Sequence, residues 1–294
     1  MKKYFHLFIV VSFIFVAVAL AKIDYLSLPL LHSPALLGLS ILLLCAGFVA
    51  EARVWKVTCG KFGYPISLSD SFASIGLSVF GKYIPGKVWL IMGRAGYLNQ
   101  HYPYSIKKLA YVALVSQLLI IWIGLGIGLI GIWNLSLFTT PVQWALMALW
   151  LISSLILIHP FVHDMVNVLV GRITRGKVEL PVLSLRAGIT LIPTYLIRWL
   201  LFSVSFYCAM QALSDITLPW YTAAVFPLAG TLGLLVFFIP GGIGVREGII
   251  AFFLVQMGFD TASAVGLSIA ARLWIITGES MTFLIGFALH RNTA

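Results

Sequence analysis

The sequence predicts an all-α polytopic membrane protein: an inverted repeat of about six spanning helices plus two Pro-Gly re-entrant hairpins. Three observations carry this reading. The chain is 61% hydrophobic and 10% charged, with a mean hydropathy of +1.04, whereas soluble domains carry about 25% charge. It contains several apolar runs of about 17–25 residues, enough to cross a hydrocarbon core about 30 Å thick. Two short stretches also read alike, Tyr83-Ile84-Pro85-Gly86-Lys87-Val88 and Phe238-Ile239-Pro240-Gly241-Gly242-Ile243, with their prolines and first glycines each 155 positions apart. The same offset lays 34–50 on 189–205 and 109–132 on 264–287. Residues 1–294 are therefore read as one transmembrane domain, with one repeat over about 34–132 and the other over about 189–287. Paired interrupted segments at matching places in two halves point to a transporter-type site near the bilayer midplane.

The elements follow in order. Lys2 and Lys3 precede an apolar stretch, Tyr4 to Ala21, that ends in Ala19-Leu20-Ala21 as a secretory signal would. Its 18 residues exceed the 7–15 usual for such signals and suffice to span, so an uncleaved first span is expected. The next span covers about 34–50, and Arg53, Lys56 and Lys61 mark a basic loop after it. Residues 68–98 hold Gly76, Gly81, Pro85, Gly86, Gly93 and Gly96. They are too broken for one span. Irregular backbone at membrane depth survives only where protein shields it or a wet cavity touches it, so a re-entrant hairpin with its tip near Tyr83–Gly86 is expected.

A span over 109–132, an uncharged loop from Asn134 to Gln143 and a span over 143–159 come next. Residues 161–171 have an amphipathic pattern suited to the membrane surface, and Arg172, Arg175, Lys177 and Arg186 make the following loop basic. Then come a span over 188–210, a loop from Gln211 to Trp220, and a second hairpin over 221–256 with Pro240-Gly241-Gly242 at its tip. Two ordinary short spans, 221–238 and 240–256, are the alternative there. The last span covers 263–289 and ends at His290 and Arg291. Basic loops belong in the cytoplasm. That rule puts both termini inside and makes the hairpins enter from opposite faces, as an inverted repeat requires; the membrane expected is the inner (plasma) one.

The net charge of +10 is accounted for by cytoplasmic loops facing anionic lipid. No soluble basic face for nucleic acid is visible. Cys45, Cys59 and Cys208 read as apolar fillers. Gly124-x-Gly126-x-Gly128 lies in a span and reads as helix packing. His159 and His163 sit at a helix end with only Asp164 beside them, so no metal site is expected, and no phosphate-binding loop of the nucleotide-hydrolase type occurs. No cofactor and no catalytic constellation are expected.

Charges inside spans are expensive in hydrocarbon and mark sites. Arg198 lies mid-span with no acid on its own helix within a turn; it is expected to meet a phosphate, Glu279 or Glu247. Arg272 and Glu279 are seven apart, hence on one helix face. Arg246 and Glu247 follow the second tip, while Lys82, Lys87 and Arg94 belong to the first hairpin. Six cations against two acids bias a cavity toward an anion, and a phosphate suits the Arg fork and the Lys point charge. Plainer readings pair Arg272 with Glu279 structurally and let Lys82 and Lys87 snorkel to the interface. Helices starting after Gly86 and Gly242 would add free N–H groups. The expected substrate-binding set is Lys82, Tyr83, Pro85, Gly86, Lys87, Arg94, Arg198, Pro240, Gly241, Gly242, Arg246 and Arg272. Glu247 and Glu279 are the expected proton-coupling groups.

Gly81-Lys82-Tyr83-Ile84-Pro85-Gly86-Lys87-Val88-Trp89 with Arg94, and Pro240-Gly241-Gly242-Ile243-Gly244-Val245-Arg246-Glu247-Gly248, resemble the lysylphosphatidylglycerol synthase transmembrane-domain family, a flippase-like family. The resemblance extends over nearly the whole length. It implies a lipid-translocating membrane domain with re-entrant segments near the headgroup path. The motif positions it carries over are Lys82, Pro85, Gly86, Lys87 and Arg94, then Pro240, Gly241, Gly244, Arg246 and Glu247. The family's optional soluble aminoacyl-transferase domain has no counterpart in this sequence, so the chain is expected not to be an enzyme. The function expected is a flippase or translocase for an anionic phosphate-bearing lipid: a polyprenyl-phosphate carrier, with or without sugar, or a glycerophospholipid. Two alternatives stay open, a membrane-embedded glycosyl- or phosphotransferase using a lipid donor and an accessory subunit of a cell-envelope lipid synthase. The partners expected are membrane lipids, with a second copy of the chain or a lipid-synthesis protein left open.

Overall fold

Hydrocarbon leaves the backbone only its own hydrogen-bond partners, and among the described residues all regular structure is helical. The computed structural model describes residues 29–84, 88–135, 139–158, 165, 168, 185–236 and 238–291. The expected first span (4–21), the tip residues Pro85, Gly86 and Lys87, most of the surface segment 161–171, and His159 and His163 lie outside them. The helices are α1 (Pro34–Lys61), α2 (Leu68–Ser78), α3 (Val88–His101), α4 (Ile106–Asn134), α5 (Thr140–Ile158), α6 (Leu185–Ala212), α7 (Val225–Leu235), α8 (Val245–Gln256) and α9 (Thr261–Arg291). Among the described residues four helices, α1, α4, α6 and α9, are long and apolar enough to cross a membrane.

Local chemistry sets several ends. Pro34 begins α1, and the Ser33 hydroxyl accepts from the Leu36 N–H, using proline where its missing donor costs nothing. The Ser67 hydroxyl accepts from the Asp70 N–H at 2.9 Å to start α2. Asp260 accepts from the Ala262 and Ser263 amides to start α9.

One boundary differs from the sequence expectation. The span expected to stop near residue 50 continues to Lys61, so Glu51, Arg53, Lys56 and Lys61 belong to α1 and not to a loop after it. Hydropathy falls at Glu51, but no proline or glycine interrupts the helix there, and the charge is neutralised from other helices.

Each interrupted segment forms two helices around a break. α2 passes through a 3-10 turn, Val79–Tyr83, before α3, and α7 is followed by a 3-10 turn, Pro240–Gly242, before α8. Gly241 and Gly242 have φ of +59° and +67°, a region L side chains rarely occupy. A Cβ on Gly242 would also strike the Gly233 backbone. The tip is thus restricted to glycine by backbone angle and by space.

α1 and α6 run antiparallel through the centre. Ser40 meets Ser205, Gly47 faces Phe202, Glu51 meets Arg198 and Thr58 meets Tyr195, so numbers rise on one helix as they fall on the other. The serines bond reciprocally: Ser40 Oγ donates to the Ser205 carbonyl at 2.8 Å, and Ser205 Oγ to the Ser40 carbonyl at 2.6 Å. Around this pair α2 packs on α9 and α7 on α4, while α3 packs on α4 and α8 on α9. Lipid tails are as apolar as leucine, so such contacts depend on close fit and polar pairing. Gly76 of α2 supplies fit: a Cβ there would come within 3.0 Å of the Gly286 Cα on α9.

Gly76→Val should therefore force α2 and α9 apart at a cost of about 1–3 kcal/mol, lowering the unfolding temperature in detergent by several degrees. Gly38→Val serves as the control, because a Cβ at Gly38 meets nothing within 4 Å. Equal melting curves for the two variants would refute the close-approach account.

Candidate functional site

The residues that composition made costly converge on one cavity. It measures about 80 Å³ and is lined by Glu51 from α1, Lys82 from the first hairpin turn, Arg94 from α3, Gln117 from α4, Arg198 from α6, Arg246 from α8 and Glu279 from α9. One water needs roughly 10–15 Å³ of such space, so the cavity admits a group of several atoms. Phe48, Trp199, Phe202, Phe226 and Ile275 form its apolar walls. Polar groups set against an apolar wall suit an amphipathic ligand.

Glu51 holds one side. Arg94 Nη2 donates to its Oε1 at 2.7 Å, and Arg198 Nη2 donates to its Oε2 at 3.2 Å. All three are buried: Glu51 is 8% exposed, Arg94 5% and Arg198 9%. The Arg198 guanidinium also lies 4.5 Å from the Trp199 ring centre and 4.8 Å from that of Phe202, faces that attract a cation. The acid missing near Arg198 in the sequence is thus neither Glu279 nor Glu247. It is Glu51, 147 positions away.

Glu279 holds the other side. It is fully buried, forms an ion pair with Lys82, and accepts from the Tyr83 hydroxyl at 2.9 Å. The expected Arg272–Glu279 pair is corrected accordingly: Arg272 Nη1 lies 3.6 Å from Glu247 and donates to the Gly241 carbonyl at 3.3 Å. Seven-residue spacing put Arg272 and Glu279 on one face, but long side chains from the hairpins reach each of them first. Lys82 does not snorkel outward; its side chain is 13% exposed.

The α8 N-terminus is not the open anion site that was expected. Glu247 Oε2 accepts from the Gly244 N–H at 2.6 Å, so the helix supplies its own carboxylate to its positive end. Arg246 points the other way and donates to the Gly230 carbonyl at 3.3 Å. Tyr83 lies against Gly241, where a Cβ would strike its ring, and the Arg272 guanidinium sits 5.1 Å from that ring centre. Lys82, Tyr83, Arg94, Arg198, Arg246, Arg272, Glu247 and Glu279 are thus brought together, and Pro240, Gly241 and Gly242 shape the turn beside them.

Sequence reasoning missed Glu51 and Gln117. Glu51 follows an apolar run with no helix-stop signal before Gly60, which was the available sign that it lay inside the span. Gln117 stands 155 positions before Arg272, so the repeat offset pointed to it.

Residues 5–277 match the family described as "Lysylphosphatidylglycerol synthase TM region". The chain belongs to this family. No curated protein matches it. Family membership and the four apolar helices make it a membrane-embedded, lipid-related protein. The family is described by a synthase, which is an enzyme, and this finding overturns the expectation that the chain is not one.

Removing the shared carboxylate leaves two buried guanidinium groups uncompensated, at about 3–5 kcal/mol. Glu51→Gln should therefore lower the melting temperature in detergent sharply. The double variant Glu51→Gln/Arg94→Gln should lose less than the sum of the two single losses. Strictly additive losses would show that the two residues do not interact.

Proposed function

We propose that the chain binds the anionic phosphate of a lipid headgroup in the central cavity and moves it across the inner membrane. The observation that carries this reading is an excess of buried cation. Glu51 and Glu279 are each held by protein cations, yet Arg94 Nε, Arg198 Nη1, Arg246 Nε and Arg272 Nη2 have no acceptor among the described residues. Buried guanidinium N–H groups without acceptors are costly, and a phosphate supplies paired oxygen acceptors that match the planar guanidinium fork. The apolar wall from Phe48, Phe202 and Phe226 gives the attached chain an apolar path.

The movement proposed is alternating access by two halves forming an inverted repeat, with both termini cytoplasmic. Helix boundaries support the repeat: shifted by 155, α3 starts at 243 and α4 at 261, against Val245 for α8 and Thr261 for α9. A phosphate arriving beside Lys82 competes with Glu279 for that cation and loosens the Tyr83 contact, which couples occupancy to the first hairpin. Glu279, so released, is the carboxylate placed to take up a proton, whereas Glu247 is committed to the α8 cap.

Reconstitution into liposomes with labelled lipids tests the proposal. Anionic phosphate lipids should equilibrate between leaflets, and zwitterionic ones should not. Arg198→Leu should abolish the movement while the protein stays folded, since Glu51 retains Arg94. Normal movement by Arg198→Leu would remove the cavity from the pathway.

A further inference from the structure

We infer, on the basis of the headgroup reading above, that the cavity selects a phosphate bearing two negative charges over a singly charged phosphodiester. The balance of charge carries this. Among the described residues four cations line the cavity, Lys82, Arg94, Arg198 and Arg246, against two carboxylates, Glu51 and Glu279. The surplus is two positive charges, and it stays two when the adjoining Arg272–Glu247 pair is included. Uncompensated charge in a low-dielectric interior is penalised steeply. A phosphodiester would leave one positive charge unbalanced. A phosphomonoester, at about −1.5 to −2 near neutral pH, would leave almost none.

Donor geometry agrees with the charge count. Arg94 and Arg198, which line the cavity, are each at least nine-tenths buried, and each presents an N–H with no acceptor among the described residues, as does Arg246. A phosphomonoester offers three terminal oxygens, whereas a diester has two and must also seat a second alcohol. The carboxylates sharpen the choice. Glu51 and Glu279 repel any anion, so only one with enough charge to engage several guanidinium groups at once outweighs them. The same chemistry occurs in a lipid monophosphate and in free phosphate.

The test uses the full chain in nanodiscs of zwitterionic lipid at pH about 7, where a monoester carries about −1.5 to −2 charges. Stabilisation against heat is titrated with phosphatidic acid, with phosphatidylmethanol of the same acyl chains, and with inorganic phosphate in the buffer. Phosphatidic acid should bind about ten-fold or more tighter than phosphatidylmethanol, the factor given by ~1.4 kcal/mol. Inorganic phosphate should compete with it more weakly; competition as tight as the lipid supports dianion selection but assigns the source to the free ion. In Arg246→Gln the surplus falls to one charge, and the ratio of monoester to diester binding should shrink several-fold. Equal or tighter binding of phosphatidylmethanol overturns this inference and leaves the headgroup reading standing. Absence of binding by all three overturns both, and an unchanged ratio in Arg246→Gln removes the charge-balance basis.

Discussion

One carboxylate, Glu51, is shared by two arginines in the interior of a chain otherwise built for hydrocarbon. Its pairing with Arg94 and Arg198 joins α1, α3 and α6, three helices with no hydrophobic reason to choose one another inside a bilayer. Each of the three charges alone would be costly in hydrocarbon. Together they are tolerated, and each fixes the position of the others. The same pairing explains why α1 continues past the residue where its hydropathy falls.

A second buried pair does for the hairpins what Glu51 does for the central helices. Glu279 draws Lys82 and Tyr83 onto α9, and Tyr83 then lies on Gly241 at the opposite tip. The 155-residue offset pairs Tyr83 with Phe238, yet Tyr83 is 7% exposed and Phe238 92%. Matching positions thus hold unlike environments.

Family membership places the chain among lipid-related membrane proteins. Two carboxylates within a cationic cavity look wasteful if the task is only to attract an anion. They make sense as anchors: each positions cations while leaving selected N–H groups unpaired. The cations are held in place by the cavity's own counter-charges, and groups fixed in advance have less ordering cost to meet in binding.

Composition and period alone established the membrane class, the helical fold, the two interrupted segments and most of the charged residues that converge. These follow from rules that act along the chain: apolar length for a span, proline and glycine for a break, the expense of a charge in hydrocarbon. The same rules misplaced the end of α1 at Glu51, because hydropathy scores a residue without its partners. Which acid meets which base was decided only by tertiary structure. Arg198 finds Glu51 across 147 positions, and Lys82 finds Glu279 across 197. Such pairings depend on which helices pack together and how far each side chain reaches, and neither is written in local spacing.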